Sequence, residues 1–139
     1  MNSTVKIARE YIGTPYHHQA RVKYHGVDCV GLVLCVAKEL NIVEKDWDIT
    51  GYSRVPDGKL LMHHLKDNLQ IVEFKDMQVG DIICVAFDKF PQHVGIVGDY
   101  VHGGFSIIHA DSRRGQVIET RLLLNDKMRF VAAFRWKDK

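Results

Sequence analysis

Apolar positions recur with a helical period in the first half of the chain, and in short runs with a period near two after Ile71. Ser3 or Thr4 is placed to cap a first helix running to about Ile12, with Val5, Ala8 and Ile12 on one face. Gly13-Thr14-Pro15 ends it. Residues 16–27 mix polar and aromatic groups without a period and read as a loop. Asp28 then caps an apolar, helix-length segment from Cys29 to Leu40, with Lys38 and Glu39 near its end. Asn41 to Pro56 is irregular, and Trp47 and Tyr52 are expected to fold it onto the core. Asp57 is placed to cap a third helix from Gly58 to about Leu69, where Leu61, Leu65 and Asn68 follow the helical spacing and Leu60 and Leu69 widen the apolar face.

Strands follow. Ile82–Phe87 is fully apolar and is entered through the turn Gln78-Val79-Gly80-Asp81. His93–Val97, Phe105–Ala110, Gln116–Thr120 and Phe130–Trp136 complete the set. Short turns between successive strands favour an antiparallel meander. Helices first and strands afterwards give an α+β fold, with N-terminal helices packed on a C-terminal antiparallel sheet of about five strands. The whole of residues 1–139 reads as one domain, without repeat, low-complexity tract or linker.

Charge narrows the function classes. Nineteen basic and seventeen acidic residues give a net charge of +2, scattered along the chain, and this balance argues against a nucleic-acid surface. The N-terminus has no apolar segment of the secretory kind. No apolar run approaches the ~20 residues of a membrane span. The expectation is therefore synthesis in the cytoplasm, with no membrane partner.

The chemistry begins at Cys29. A cysteine at the first position of a helix lies near unpaired backbone N–H groups and the positive end of the helix dipole, a setting that favours thiolate. Cys35 and Cys84 have no such setting, and the three cysteines match neither a zinc nor a CxxC pattern. A cysteine nucleophile needs a base, and the base needs an orienting group. His93 starts one strand and His109 is near the end of the next, so the two can face each other across an antiparallel ladder. A helix packed on that face by its N-terminus would bring Cys29 to His93. Of the other histidines, His17, His18, His63 and His64 are expected to be solvated, as is His102 before a Gly-Gly turn; His25 is close enough in sequence to support Cys29 indirectly. The two strand histidines lack a third ligand at useful spacing, so no metal is expected and no cofactor is implied.

Taken together, Gly13-Thr14-Pro15-Tyr16, Gly26-Val27-Asp28-Cys29-Val30-Gly31-Leu32-Val33, Gly80-Asp81-Ile82-Ile83, His93-Val94-Gly95-Ile96-Val97 and Ile107-Ile108-His109-Ala110 resemble the NlpC/P60 cysteine peptidases. The resemblance runs in order from about Thr4 to Trp136. It extends to the single-domain phage-tail and gene-transfer-agent branch through Tyr52–Gly58 and Val131–Arg135. It implies a papain-like α+β fold, a Cys-His-His triad and hydrolysis of amide bonds in peptidoglycan stem peptides, such as D-glutamyl to diaminopimelate or lysine. By position, Cys29 corresponds to the nucleophile, His93 to the base and His109 to the third polar group. Tyr16 corresponds to a tyrosine beside the nucleophile, and Asp28 to an acidic residue that in some relatives holds the free amine of the stem peptide. Val30 departs from the pattern, since many relatives carry a serine there that helps bind that amine. The implied partners are a peptidoglycan stem peptide and phage tail proteins, with assembly into a tail or tail-like particle. Two other readings stay open: a catalytically silent tail-assembly or binding module, and a thiol-dependent acyltransferase.

Overall fold

A computed structural model describes residues 2–46, 48, 63, 65, 67–87 and 93–137. Helix α1 spans Ser3–Arg9 and helix α2 spans Cys29–Glu39. Between them lies a two-stranded antiparallel ribbon, β1 (Arg21–Val22) and β2 (Gly26–Val27). The main sheet holds β3 (Leu69–Val72), β4 (Ile82–Phe87), β5 (His93–Asp99), β6 (Phe105–Asp111), β7 (Gln116–Arg121) and β8 (Met128–Trp136). Their spatial order is β3-β8-β4-β5-β6-β7, and every neighbouring pair is antiparallel.

The helix-then-sheet order is as expected, but the sheet has six strands rather than about five. The sixth is Leu69–Val72, whose first residue the sequence pattern places at the end of a helix. It is an edge strand with only Leu69 and Val72 buried, so it carries no alternating pattern to read. Only β4 to β7 form a meander. β8 returns across the sheet to pair with the other side of β4, because Phe134 and Ala133 fit beside Ile82 and Ile83. Residues 16–27, expected as loop, contain the ribbon. Its strands are two residues long, below what periodicity can reveal. Most of the third expected helix lies outside the described residues, as do Trp47, Tyr52, Asp57 and His64; His63 and Leu65 are helical, and Leu65 is buried.

The cap of α1 is Asn2, whose side chain accepts the N–H of Val5, rather than Ser3 or Thr4. The helix is shorter than expected, and Tyr11 rather than Ile12 follows Val5 and Ala8 into the core; Ile12 is 44% exposed. α2 is the central element. Every residue from Cys29 to Ala37 is buried, as expected for a helix apolar all round and packed on all sides. It ends at Leu40, followed by Asn41 in the left-handed conformation at φ 60°.

The sheet separates two apolar layers. Ile82, Cys84, Val94, Ile96, Ile108, Ala110, Val117 and Phe134 pack with α1 and α2. Ile83, Val85, Val97, Ile107 and Ala133 pack on the opposite face with Val72 and Met77. Two ion-pair networks pin the ends. Arg9 of α1 reaches Glu119 of β7 through Nε (3.0 Å) and Nη2 (2.9 Å), and Ser106 donates to the same carboxylate at 2.6 Å. Arg135 of β8 holds Asp81 at the start of β4 through Nε at 2.8 Å. No helix among the described residues is long and apolar enough to cross a membrane.

Candidate active site

Asp28 sets the start of α2. Its Oδ1 accepts the N–H of Gly31 at 2.7 Å, and its Oδ2 accepts the N–H of Gln19 at 2.6 Å. The Gln19 N–H can point there because Gln19 adopts a left-handed conformation, φ 60°. Arg21 Nη1 lies 3.2 Å from Oδ1, and His18 Nδ1 lies 3.7 Å from Oδ2. The carboxylate is therefore buried and surrounded by donors from its own chain. His18 is half-buried beside it rather than solvated as expected, because the loop before β1 folds back over the helix start. Gly31 is required by the same closeness: a Cβ there would lie 2.4 Å from the Ala20 carbonyl oxygen. His17, His25, His63 and His102 are exposed, and His25 sits in the β1–β2 turn away from Cys29.

Cys29 is the first residue of α2 and only 3% exposed. Backbone N–H groups of Val94, Val30 and Cys29 itself lie close enough to its sulfur to favour the charged form. The helix-start donors are thus present as expected. They do not produce a thiolate: burial and the adjacent Asp28 carboxylate push the thiol up to about 12. This corrects the expectation of a thiolate at rest. Desolvation of a fully buried sulfur outweighs a few N–H donors. Cys35 and Cys84 are also buried free thiols, with Cys35 Sγ donating to the Arg21 carbonyl at 3.3 Å.

His93 Nε2 and His109 Nδ1 are 2.8 Å apart, in a hydrogen bond between near-perpendicular rings. The register of β5 and β6 pairs Ile96 with Ile108. Continued toward the strand ends, it sets His109 opposite Gly95, so the two histidines are diagonal neighbours rather than direct partners. Burial holds both imidazoles neutral. His93 is pushed down to about 3, with repulsion from His109 adding to burial, and His109 to about 4. Because Nε2 of His93 is engaged, Nδ1 is the nitrogen left to take a proton. His109 Nε2 is buried with no hydrogen-bond partner among the described residues.

The sulfur and the imidazoles converge on one strand end by different routes. By alternation, His93 and His109 share the parity of Val97 and Ile107, on the face turned away from α2. Cys29 instead reaches the β5 backbone at Val94, from the α2 side. The expected arrangement, with the helix packed on the histidine face, is therefore not the observed one, because Val94, Ile96 and Ile108 occupy the face that α2 covers. No hydrogen bond joins Cys29 to either ring among the described residues. Tyr16 is half-buried at the same end: its N–H donates to the Gly115 carbonyl at 2.8 Å, and it bridges to Val27.

Sequence reasoning missed Phe87 and Arg113. The Phe87 ring is centred 5.4 Å from the His93 ring, and the Arg113 guanidinium lies 5.3 Å from the centre of the Phe87 ring. Arg113 and Arg114 were visible as the one adjacent basic pair in the chain. Among the described residues, no cluster of three or more His, Cys, Asp or Glu side chains is placed to hold a metal.

No protein-family model matches the sequence, and no curated protein matches it. Solved structures do. An N-acetylmuramoyl-L-alanine amidase from Bacteroides uniformis ATCC 8492 superposes with a TM-score of 0.70 at 15% identity, covering 98% of each chain. The NlpC/p60 domain of the peptidoglycan hydrolase SagA gives a TM-score of 0.57 at 24% identity, over 87% of this chain and 90% of that one. A lipoprotein-like protein of the NLP/P60 family from Staphylococcus aureus subsp. aureus Mu50 gives 0.64 at 19% identity, over 99% of this chain and 41% of that one. The chain has the fold of these NlpC/P60 domains, with six strands in the main sheet.

Proposed function

We propose that this protein is a cysteine endopeptidase that hydrolyses amide bonds in peptidoglycan stem peptides. The observation that carries the reading is a helix-start cysteine whose sulfur lies beside the backbone of Val94, the residue after His93, on a strand end where His93 is itself bonded to His109. The fold shared with a cell-wall amidase and a peptidoglycan hydrolase supports it.

In this mechanism the thiol and imidazole start as a neutral pair. Cys29 Sγ turns from its place beside Val94 round the strand end toward His93, and attacks the scissile carbonyl carbon as its proton passes to His93 Nδ1. His93 Nε2–H donates to His109 Nδ1 throughout and so fixes the ring. The backbone N–H groups released by the sulfur are placed to stabilise the oxyanion. His93 then gives its proton to the leaving amine, which departs and leaves a thioester on Cys29. Water, deprotonated by His93, hydrolyses the thioester and restores the thiol. Tyr16 and Asp28 border the site. Asp28 already accepts donors from its own chain, so its first role in this scheme is to hold the helix start. Delivery by a phage tail or tail-like particle belongs to the same proposal and rests on the resemblance of Tyr52–Gly58 and Val131–Arg135 to that branch.

A second reading, a catalytically silent binding module, is favoured by one observation: the sulfur is sealed against backbone and touches neither imidazole by hydrogen bond. Digestion of defined muropeptides followed by mass spectrometry separates the two. The peptidase reading expects one new amine and one new carboxyl terminus within the stem. Intact muropeptides after prolonged incubation with folded protein would favour the silent module.

A further inference from the structure

The turn between β6 and β7 carries a positive charge to the edge of the histidine pair. Asp111 Oδ1 accepts the N–H groups of Arg113 (2.8 Å) and Arg114 (3.3 Å), which fixes the turn. Gly115 completes it at φ 74°, with its N–H donating to the Asp111 carbonyl at 2.8 Å. The Arg113 side chain is 63% exposed, yet it is not left to wander: its guanidinium lies over the Phe87 ring, which packs beside His93. Among the described residues its one carboxylate neighbour is Asp111, at a loose 3.9 Å, and that oxygen is already shared by two backbone donors. A planar cation held on an aromatic ring, weakly paired and open to solvent, is suited to bidentate capture of a carboxylate. Both arginines also press His109 toward the neutral form, and Arg113 does the same to His93.

We infer that Arg113, seated on Phe87, is a specificity residue that binds a free carboxylate on the peptide next to the scissile amide. The inference rests on the peptidase reading for its substrate. It favours stems in which the residue beside the cleaved bond keeps its carboxylate over stems in which that group is a carboxamide. The two forms differ by one charge and are nearly equal in size, so the discrimination falls on the guanidinium.

The test uses a matched pair of stem peptides, one with D-glutamate and one with D-isoglutamine at the same position. Binding of each to the full-length Cys29→Ala protein is measured by calorimetry, and kcat/KM of each is measured with the wild type. The carboxylate peptide is expected to be preferred about tenfold in both, as one charge-assisted contact provides. Arg113→Gln should bring the two values together by weakening the carboxylate peptide, and Arg113→Lys should restore part of the preference. An unchanged preference in folded Arg113→Gln overturns the inference while leaving the hydrolase standing. A preference lost with Arg113, in a protein that binds both peptides and cleaves neither, supports the inference and overturns the hydrolase reading. Equal binding and equal cleavage of both peptides by the wild type overturns the inference alone, and binding of neither overturns both.

Discussion

Two neutral imidazoles held in the folded protein make its stability fall as the solution is acidified. An ordinary histidine titrates near 6.5, whereas His93 is held down to about 3 and His109 to about 4. Both folded-state values lie below the unfolded one, so the unfolded chain binds more protons between about pH 6.5 and pH 3–4. The stability these groups contribute is present above pH 6.5 and is lost as pH falls through that window. Between pH 7 and pH 5 each ring accounts for ~2 kcal/mol, or ~4 kcal/mol for the pair, near a slope of two protons. That is a large share of the ~5–15 kcal/mol typical of a domain. Carboxylates lose stability in an overlapping range, so the assay compares the wild type with a His93→Gln, His109→Asn double variant. Urea unfolding followed by circular dichroism at half-unit steps gives both pH profiles. The wild type is expected to lose ~4 kcal/mol more than the variant between pH 7 and pH 5. Profiles that run parallel within ~1 kcal/mol would refute the reasoning, as would ring resonances of residues 93 and 109 that titrate near their unperturbed value.

Three further outcomes follow from the same contacts. With its thiol pushed up to about 12, Cys29 should react with iodoacetamide at pH 7 about 10³-fold more slowly in the native protein than after unfolding, and the native rate should rise about tenfold per pH unit above pH 8; fast labelling that is flat from pH 6 to 8 would reveal a resting thiolate. Asp28→Ala removes the acceptor shared by Gly31, Gln19 and Arg21, and should cost ~3–5 kcal/mol in chemical denaturation, beyond the ~1–2 kcal/mol of a helix cap alone; a loss under ~1 kcal/mol would mean that the donor cage contributes little. Gly31→Ala places a Cβ against the Ala20 carbonyl and should lower stability by ~1–3 kcal/mol despite the better helix propensity of alanine, and a higher melting temperature would show that the loop yields freely.

The parts of this structure that could be read from sequence are those that repeat a physical signal. The run from Cys29 to Ala37 is apolar at every position and became the central helix, capped by Asp28 as its side chain suggests. Strands β4 to β7 begin where their apolar runs begin, each bounded by turn residues. Leu69–Val72 and the Arg21–Val27 ribbon were not legible because their strands are short, edge-placed and half exposed. Pairing with β8, or packing over α2, makes them strands. The meeting of His93 and His109 was legible as two polar residues in adjacent apolar strands. Which face they share was not, since nothing local distinguishes the side that α2 covers. The charge state of Cys29 depends on burial by distant segments, which a helix-start argument does not contain. Arg113 gained its position only through Phe87, which lies twenty-six places earlier in the chain.

The most direct measurement is the rate at which Cys29→Ala protein cleaves a defined stem peptide, set against the wild type at equal concentration, with folding of both verified by their urea transitions. If the sulfur is the nucleophile, the variant keeps its transition and loses about 10³-fold or more of the rate. Cleavage at the wild-type rate by the folded variant would contradict the assignment of the chemistry to this helix start.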